Sequence, residues 1–135
     1  AMIPVGQALE TSGISLNIAN FISASTAGMA LPWLILMILV ITMFVSDIVC
    51  NAATAVIMAP IAANLAIQVG QPVEPFLMAV AVGASCAFLS PIGHQCNTLV
   101  MAPGNYKFGD YWRLGLPLEC VIVAISIPMI LFVWT

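Results

Sequence analysis

The stretch Phe44-Val45-Ser46-Asp47-Ile48-Val49-Cys50-Asn51-Ala52-Ala53-Thr54-Ala55 sets a polar cluster between two apolar runs. Residues 31–45 before it are apolar, and residues 55–69 after it are apolar again, as far as Gly70-Gln71-Pro72. The first run, counted to Ser46, is about 16 residues and rises about 24 Å as a helix, less than a hydrocarbon core of roughly 30 Å. One continuous helix over residues 31–69 would be about 58 Å long, nearly twice that thickness. The spacing therefore predicts a re-entrant helical hairpin over residues 31–70, two short helices joined by a polar tip near residues 47–54.

The composition around this stretch names its solvent. Of 135 residues, 63% are hydrophobic and 5% are charged, and the mean hydropathy is +1.17. A soluble domain carries roughly a quarter of its residues charged. Here there are two cations, Lys107 and Arg113, and five acids, and residues 11–46, 48–73 and 75–106 contain no Asp, Glu, Lys or Arg. An unsatisfied backbone group in lipid costs several kcal/mol, so such segments must be helical. The fold class is an all-α membrane protein, multi-pass, of an inner or plasma membrane. A formal net charge of −3 with no basic cluster excludes nucleic acid as a partner. Cys50, Cys86, Cys96 and Cys120 form no Cys-x-x-Cys pair and read as small hydrophobes. The start at Ala1-Met2 lacks the basic region of a signal peptide and falls in mid-pattern, as in a piece of a longer chain.

A second interruption lies further along the chain. Within residues 72–102 the apolar pattern runs to Leu89, gives way to Ser90-Pro91-Ile92-Gly93-His94-Gln95-Cys96-Asn97-Thr98, and resumes at Leu99. Pro91 cannot continue a helical ladder and Gly93 tolerates unusual dihedrals, so the segment is a discontinuous transmembrane helix with its break near 90–97. Residues 1–30 mix apolar and small polar positions and read as interfacial helices broken at Gly13. Residues 103–114 form an interfacial connection with Tyr111 and Trp112 as anchors, and residues 115–135 a final transmembrane helix. Lys107 and Arg113 both flank that connection, so the positive-inside rule places it in the cytoplasm.

Irregular backbone at membrane depth persists only where it is buried in protein or lines a wet cavity. Where a second half-helix begins, near residues 51–54 and again near residues 96–98, free N–H groups and a positive dipole end suit an anion. Where a first half-helix ends, near Ser46 and Leu89, free carbonyls suit a cation. Two broken elements at one depth give an anion site beside a sodium-type site.

The tip, with Met58-Ala59-Pro60-Ile61-Ala62 after it, resembles the outward-opening hairpin of the divalent anion/sodium symporter family, the dicarboxylate, citrate and sulfate permeases. The run from Gly83-Ala84-Ser85 through Ser90-Pro91-Ile92-Gly93-His94-Gln95-Cys96-Asn97-Thr98 is similar to that family's last broken helix. Pro103-Gly104-Asn105-Tyr106 with Gly115-Leu116-Pro117 is similar to the segment C-terminal to that helix. The resemblance implies secondary transport of a small anion coupled to sodium, with a proton as the alternative coupling ion. It implies one half of an inverted-repeat transporter, here the C-terminal one, whose partners are lipid, the missing N-terminal repeat and a second copy in a homodimer moving in an elevator-like manner. The family's Ser-Asn-Thr signature is matched by Cys50-Asn51-Ala52, which keeps the central Asn and loses both hydroxyls. The resemblance implies substrate contacts at Cys50, Asn51 and Ala52, and the reading of the two breaks adds Thr54, His94, Asn97 and Thr98 as expected contacts. The implied sodium ligands are Ser46, Asn51 and Gly93.

Plainer roles compete with these. Asn51 can cap a half-helix or bond a neighbouring one. Asp47 is costly at the bilayer centre and can hold sodium, carry a coupling proton or brace the tip. His94, the single histidine, can bond backbone carbonyls, meet substrate or respond to pH; with Cys96 it offers two metal ligands at most, so no metal beyond sodium and no other cofactor is expected. An intramembrane hydrolase built on Cys50 or Ser90 with His94 and Asp47 has no supporting motif, so the expectation is a transporter and not an enzyme.

Overall fold

The computed structural model describes residues 3–25, 27, 28 and 30–134. Among these the chain forms seven α-helices: α1 (Ile3–Thr11), α2 (Ile14–Ser25), α3 (Leu31–Ile48), α4 (Asn51–Val69), α5 (Val73–Ala84), α6 (Gln95–Met101) and α7 (Phe108–Trp134). Three of them, α3, α4 and α7, are long and apolar enough to cross a membrane.

Local chemistry sets the boundaries. Gly13 takes a left-handed φ of 72°, which a side chain would strain, and so separates α1 from α2. Pro32 sits in the first turn of α3, where its missing N–H has no helical partner to lose. The α3 ladder stops at Ile48, since Val49 and Cys50 are both extended, and α4 restarts at Asn51. Gly70 closes α4 with φ 72°; its N–H bonds Ile67 O and the Gln71 N–H reaches Ala66 O, a Schellman-type end. Pro72 then starts α5 on a tight return.

The halves on either side of the first break are longer than the sequence reading gives. At 18 and 19 residues, α3 and α4 are each long enough to span on their own. The polar residues Ser46, Asp47 and Thr54 stay within the helical ladders, and only the dipeptide Val49-Cys50 leaves them.

Helix α5 packs against both α3 and α4. Gly83 brings α5 so close to α3 that a Cβ there would stand 2.9 Å from Thr42 Cβ and 3.0 Å from Leu39 O. The core is one apolar cluster around Ile35, Ile38 and Leu39 of α3, Ala62 and Leu65 of α4, and Phe76 and Ala79 of α5, all fully or almost fully buried. In lipid the exposed faces meet hydrocarbon as apolar as this core, so close van der Waals packing rather than escape from water holds the three helices together.

The stripe Ser15, Ala19 and Ile22 of α2 is buried, and α2 packs on α4, where Asn64 Nδ2 donates to Ser15 Oγ at 3.4 Å. The opposite face of α2 shows Phe21, 74% exposed, alongside Asn17 and Asn20. Helix α7 is mostly exposed but packs on α3 and α5, with Ile130 buried in the core cluster. Gly115 lies against the Phe88 carbonyl, which leaves no room for a Cβ, and the Tyr111 hydroxyl donates to Asn97 O at 2.6 Å.

Candidate functional site

The two interruptions meet. The Ser46 hydroxyl at the end of α3 lies 2.9 Å from Ala84 O, the last residue of α5. Asp47 Oδ1 accepts the Leu89 N–H at 3.1 Å, and the Ser90 hydroxyl donates to Asp47 O at 2.6 Å. Gly93 fits against the same turn of α3, since a Cβ there would stand 2.8 Å from Ser46 O and 2.8 Å from Ala87 Cβ. The end of α3 is thus docked onto the last residue of α5 and the non-helical residues 85–94 by three side chains and one glycine.

The second break begins earlier than the sequence reading gives. Helix α5 stops at Ala84, not near Leu89, and residues 85–94 are non-helical before α6 begins. Nothing in Ser85-Cys86-Ala87-Phe88-Leu89 forbids a helix. Tertiary partners take the backbone groups instead: Asp47 takes the Leu89 N–H, and Asn97 Nδ2 donates to Ala87 O at 2.8 Å and Ser90 O at 3.3 Å. Buried backbone groups must find partners, and here side chains supply them.

Ser46 and Asn51 meet across the break. The Ser46 Oγ is 2.9 Å from Asn51 Oδ1 and 2.9 Å from Ala84 O. Across the tip, Cys50 precedes α4 without a capping side-chain bond, so the first N–H groups of α4 keep the orphan character of a helix start. Asn51, Ser85, Ala87, Phe88, His94 and Asn97 line a cavity of about 230 Å³ there.

Of the residues expected to touch substrate, the structure brings Asn51, His94 and Asn97 to this cavity. Cys50 and Ala52 are exposed beside it. Thr54 is fully buried and its hydroxyl has no hydrogen-bond partner. The Thr98 hydroxyl donates to Pro91 O, and Thr98 lies with Ile92, Gln95 and Leu99 in a separate depression. His94 Nδ1 accepts the Cys96 N–H at 3.2 Å and so closes the start of α6, which is seven residues long. That helix start is therefore capped rather than left open for an anion, as its sequence leads one to expect. Ser46, Asn51 and Gly93 do converge, through the Ser46 Oγ contact with Asn51 and the packing of Gly93 on Ser46 O.

Two features escape the sequence reading. Ser85 and Phe88 line the cavity because α5 ends early. Glu119 is a buried carboxylate on α7, and its signal is plain in retrospect: it is the only charged residue among positions 114–135. Among the described residues no three His, Cys, Asp or Glu side chains gather as metal ligands, and all four cysteines are free.

Spanning helices, two of them facing each other across a break at Val49-Cys50, and a third element opened over ten residues at the same polar cavity, define an integral membrane protein with discontinuous helices. The family described as the sodium:sulfate symporter transmembrane region matches residues 1–135, and the chain belongs to that family. It is 39% identical over 133 residues to an uncharacterized transporter of Escherichia coli and 37% identical over 129 residues to one of Synechocystis, each covering 96% of this chain. A probable sodium/sulfate cotransporter of Chlamydomonas reinhardtii is 33% identical over 93% of the chain. The chain spans 21% of the length of the first two relatives and 14% of the third.

Proposed function

We propose that this chain forms the sodium- and anion-binding portion of a secondary active transporter for small anions of the sulfate, dicarboxylate or citrate class. The observation that carries the reading is the docking of the α3 end, at Ser46 and Asp47, into residues 85–94, with a polar cavity beside it. The uncapped start of α4 offers N–H donors and a positive dipole end to the anion, together with the amide of Asn51 and the side chain of His94. Sodium is the partner for the oxygen-rich corner of Ser46 Oγ, Asn51 Oδ1 and the backbone about Gly93. A hydroxyl, an amide carbonyl and backbone carbonyls are oxygen donors of the kind a hard cation takes.

In this reading α3 and α4 form a re-entrant hairpin over residues 31–70. Its support is that the break at Val49-Cys50 carries buried Ser46 and Asp47 against protein, where lipid would leave them unsatisfied. Residues 103–114, with Lys107 and Arg113, lie on the cytoplasmic side. An inverted N-terminal repeat supplies the facing half of the cavity, and two copies assemble as a homodimer. The names of relatives support both ends of the substrate range: besides the sodium/sulfate cotransporters, a protein named sodium-dependent high-affinity dicarboxylate transporter of Caenorhabditis elegans is 31% identical over 119 residues.

The test is uptake of labelled sulfate and of labelled dicarboxylate by vesicles holding the full-length protein, with and without a sodium gradient. Asn51→Leu is expected to abolish uptake while expression holds; sodium-driven uptake retained by that variant removes Asn51 from the site.

A further inference from the structure

Beyond Arg113, helix α7 carries one charged residue, Glu119, and the site at Ser46 and Asn51 does not use it. Its side chain is 8% exposed, and its Oε1 is enclosed without a hydrogen-bond partner. Glu119 lines a cavity of about 330 Å³ between α3 and α7, which shares no lining residue with the polar cavity beside Asn51. On α7 the lining positions are 116, 119, 120, 123 and 124, the i, i+3, i+4, i+7, i+8 pattern of one helix face. On α3 they are Val40, Met43 and Phe44, at i, i+3 and i+4. The two faces meet with small side chains at Cys120 and Ala124, which leave the space between them unfilled.

Apart from Glu119 and the Cys120 thiol, this lining is apolar. A hard cation takes several oxygen ligands and a buried water needs two to four polar partners, so one carboxylate among aliphatic and aromatic side chains holds neither. An ionised carboxylate withdrawn from water is nonetheless strongly unfavourable without a counter-charge. Lys107 and Arg113 are exposed and do not line the cavity, so this chain does not supply one. The counter-charge that suits such a setting brings its own apolar body. Glu119 lies about 9 Å along α7 from Arg113, and the lining continues away from the interface for about 8 Å more, the direction in which an amphiphile's chain extends from its head. Phe44, Leu116, Cys120 and Ala124 are exposed and leave the cavity open at the outer surface of the helices.

We propose that this cavity binds a lipophilic amine dissolved in the membrane, its ammonium paired with Glu119 and its apolar chain laid between the α3 and α7 faces. An amine arriving neutral takes the proton of a protonated Glu119, and one arriving charged meets the carboxylate, so both routes end in the same ion pair. The proposal does not rest on the transporter reading.

Saturable binding of radiolabelled decylamine to the purified full-length protein in lipid nanodiscs is the measurement, with partitioning into empty nanodiscs subtracted. Glu119→Gln keeps the size and removes the charge; it is expected to bind at least about tenfold more weakly, the worth of one hydrogen bond to a charged group. Ala124→Phe fills the cavity from an exposed position that accommodates the added bulk, and is expected to remove saturable binding with the carboxylate intact. Unlabelled decanol, equal in chain length and uncharged, is expected to compete at least about tenfold less well than unlabelled decylamine, on the same grounds. No saturable binding to the wild-type protein, binding unchanged in either variant, or equal competition by decanol overturns the proposal. Failure of the Asn51→Leu uptake test would leave this binding standing, so the two readings fail separately.

Discussion

Replacing Gly93 by Ala adds one methyl group at the junction of the two breaks. The new Cβ would stand 2.8 Å from Ser46 O and 2.8 Å from Ala87 Cβ, against ordinary contacts that begin near 3.4 Å. Neither neighbour can swing aside, since one is a backbone oxygen and the other a Cβ. The end of α3 and residues 85–94 must separate by about 0.6 Å, and inserting a methyl group into a packed site costs about 1–3 kcal/mol. Assigned wholly to the sodium site that this contact shapes, the cost is about 5- to 150-fold in sodium affinity, at 1.4 kcal/mol per factor of ten. The assay is the sodium concentration for half-maximal uptake in proteoliposomes holding the full-length protein, paired with a thermal melt. Gly109→Ala is the control: a Cβ there meets nothing within 4 Å, and sodium dependence should not change. A Gly93→Ala protein with wild-type sodium dependence refutes this picture of the junction.

Single contacts give two further outcomes. Tyr111→Phe deletes the hydroxyl that donates to Asn97 O at 2.6 Å and should lower stability by about 0.5–1.5 kcal/mol, read as a lower midpoint in a detergent melt. An unchanged midpoint would mean that the tie between α6 and α7 contributes nothing. Cys50, exposed at the tip and next to the cavity, should react with a maleimide more slowly when sodium and the anion are both present, in a protein whose other cysteines are replaced. Equal labelling rates would place the tip away from the ligands.

The sequence makes the first break legible because its polar residues stand in an otherwise apolar run, but it overstates the break. Ser46 and Asp47 remain helical because Ala84 O, the Leu89 N–H and the Ser90 hydroxyl satisfy them across the fold, so the backbone needs to open only at Val49-Cys50. For the same reason α3 and α4 are longer than the polar boundaries imply. The second break is visible at Pro91 and Gly93, yet its true start at Ser85 leaves no local mark, because it is held open by side chains distant in sequence. The roles of Asn97 and Thr98 also depend on tertiary partners: as a helix start they read as open to an anion, whereas their side chains hold the carbonyls of Ala87, Ser90 and Pro91. Glu119 raises the same question as Asp47, namely what an acid does in an apolar span, and its position in the sequence is enough to ask it.

If the ends of the two broken elements build one sodium-binding junction, Ser46 and Gly93 must act on the ion together. Sodium binding isotherms of the full-length protein carrying Ser46→Ala, Gly93→Ala and both changes read that coupling. Because Gly93 packs on Ser46 itself, the two losses should not add, and a coupling of about 0.5–3 kcal/mol should remain in the double-mutant cycle. Strictly additive losses, or sodium affinity untouched by either change, would contradict a shared junction.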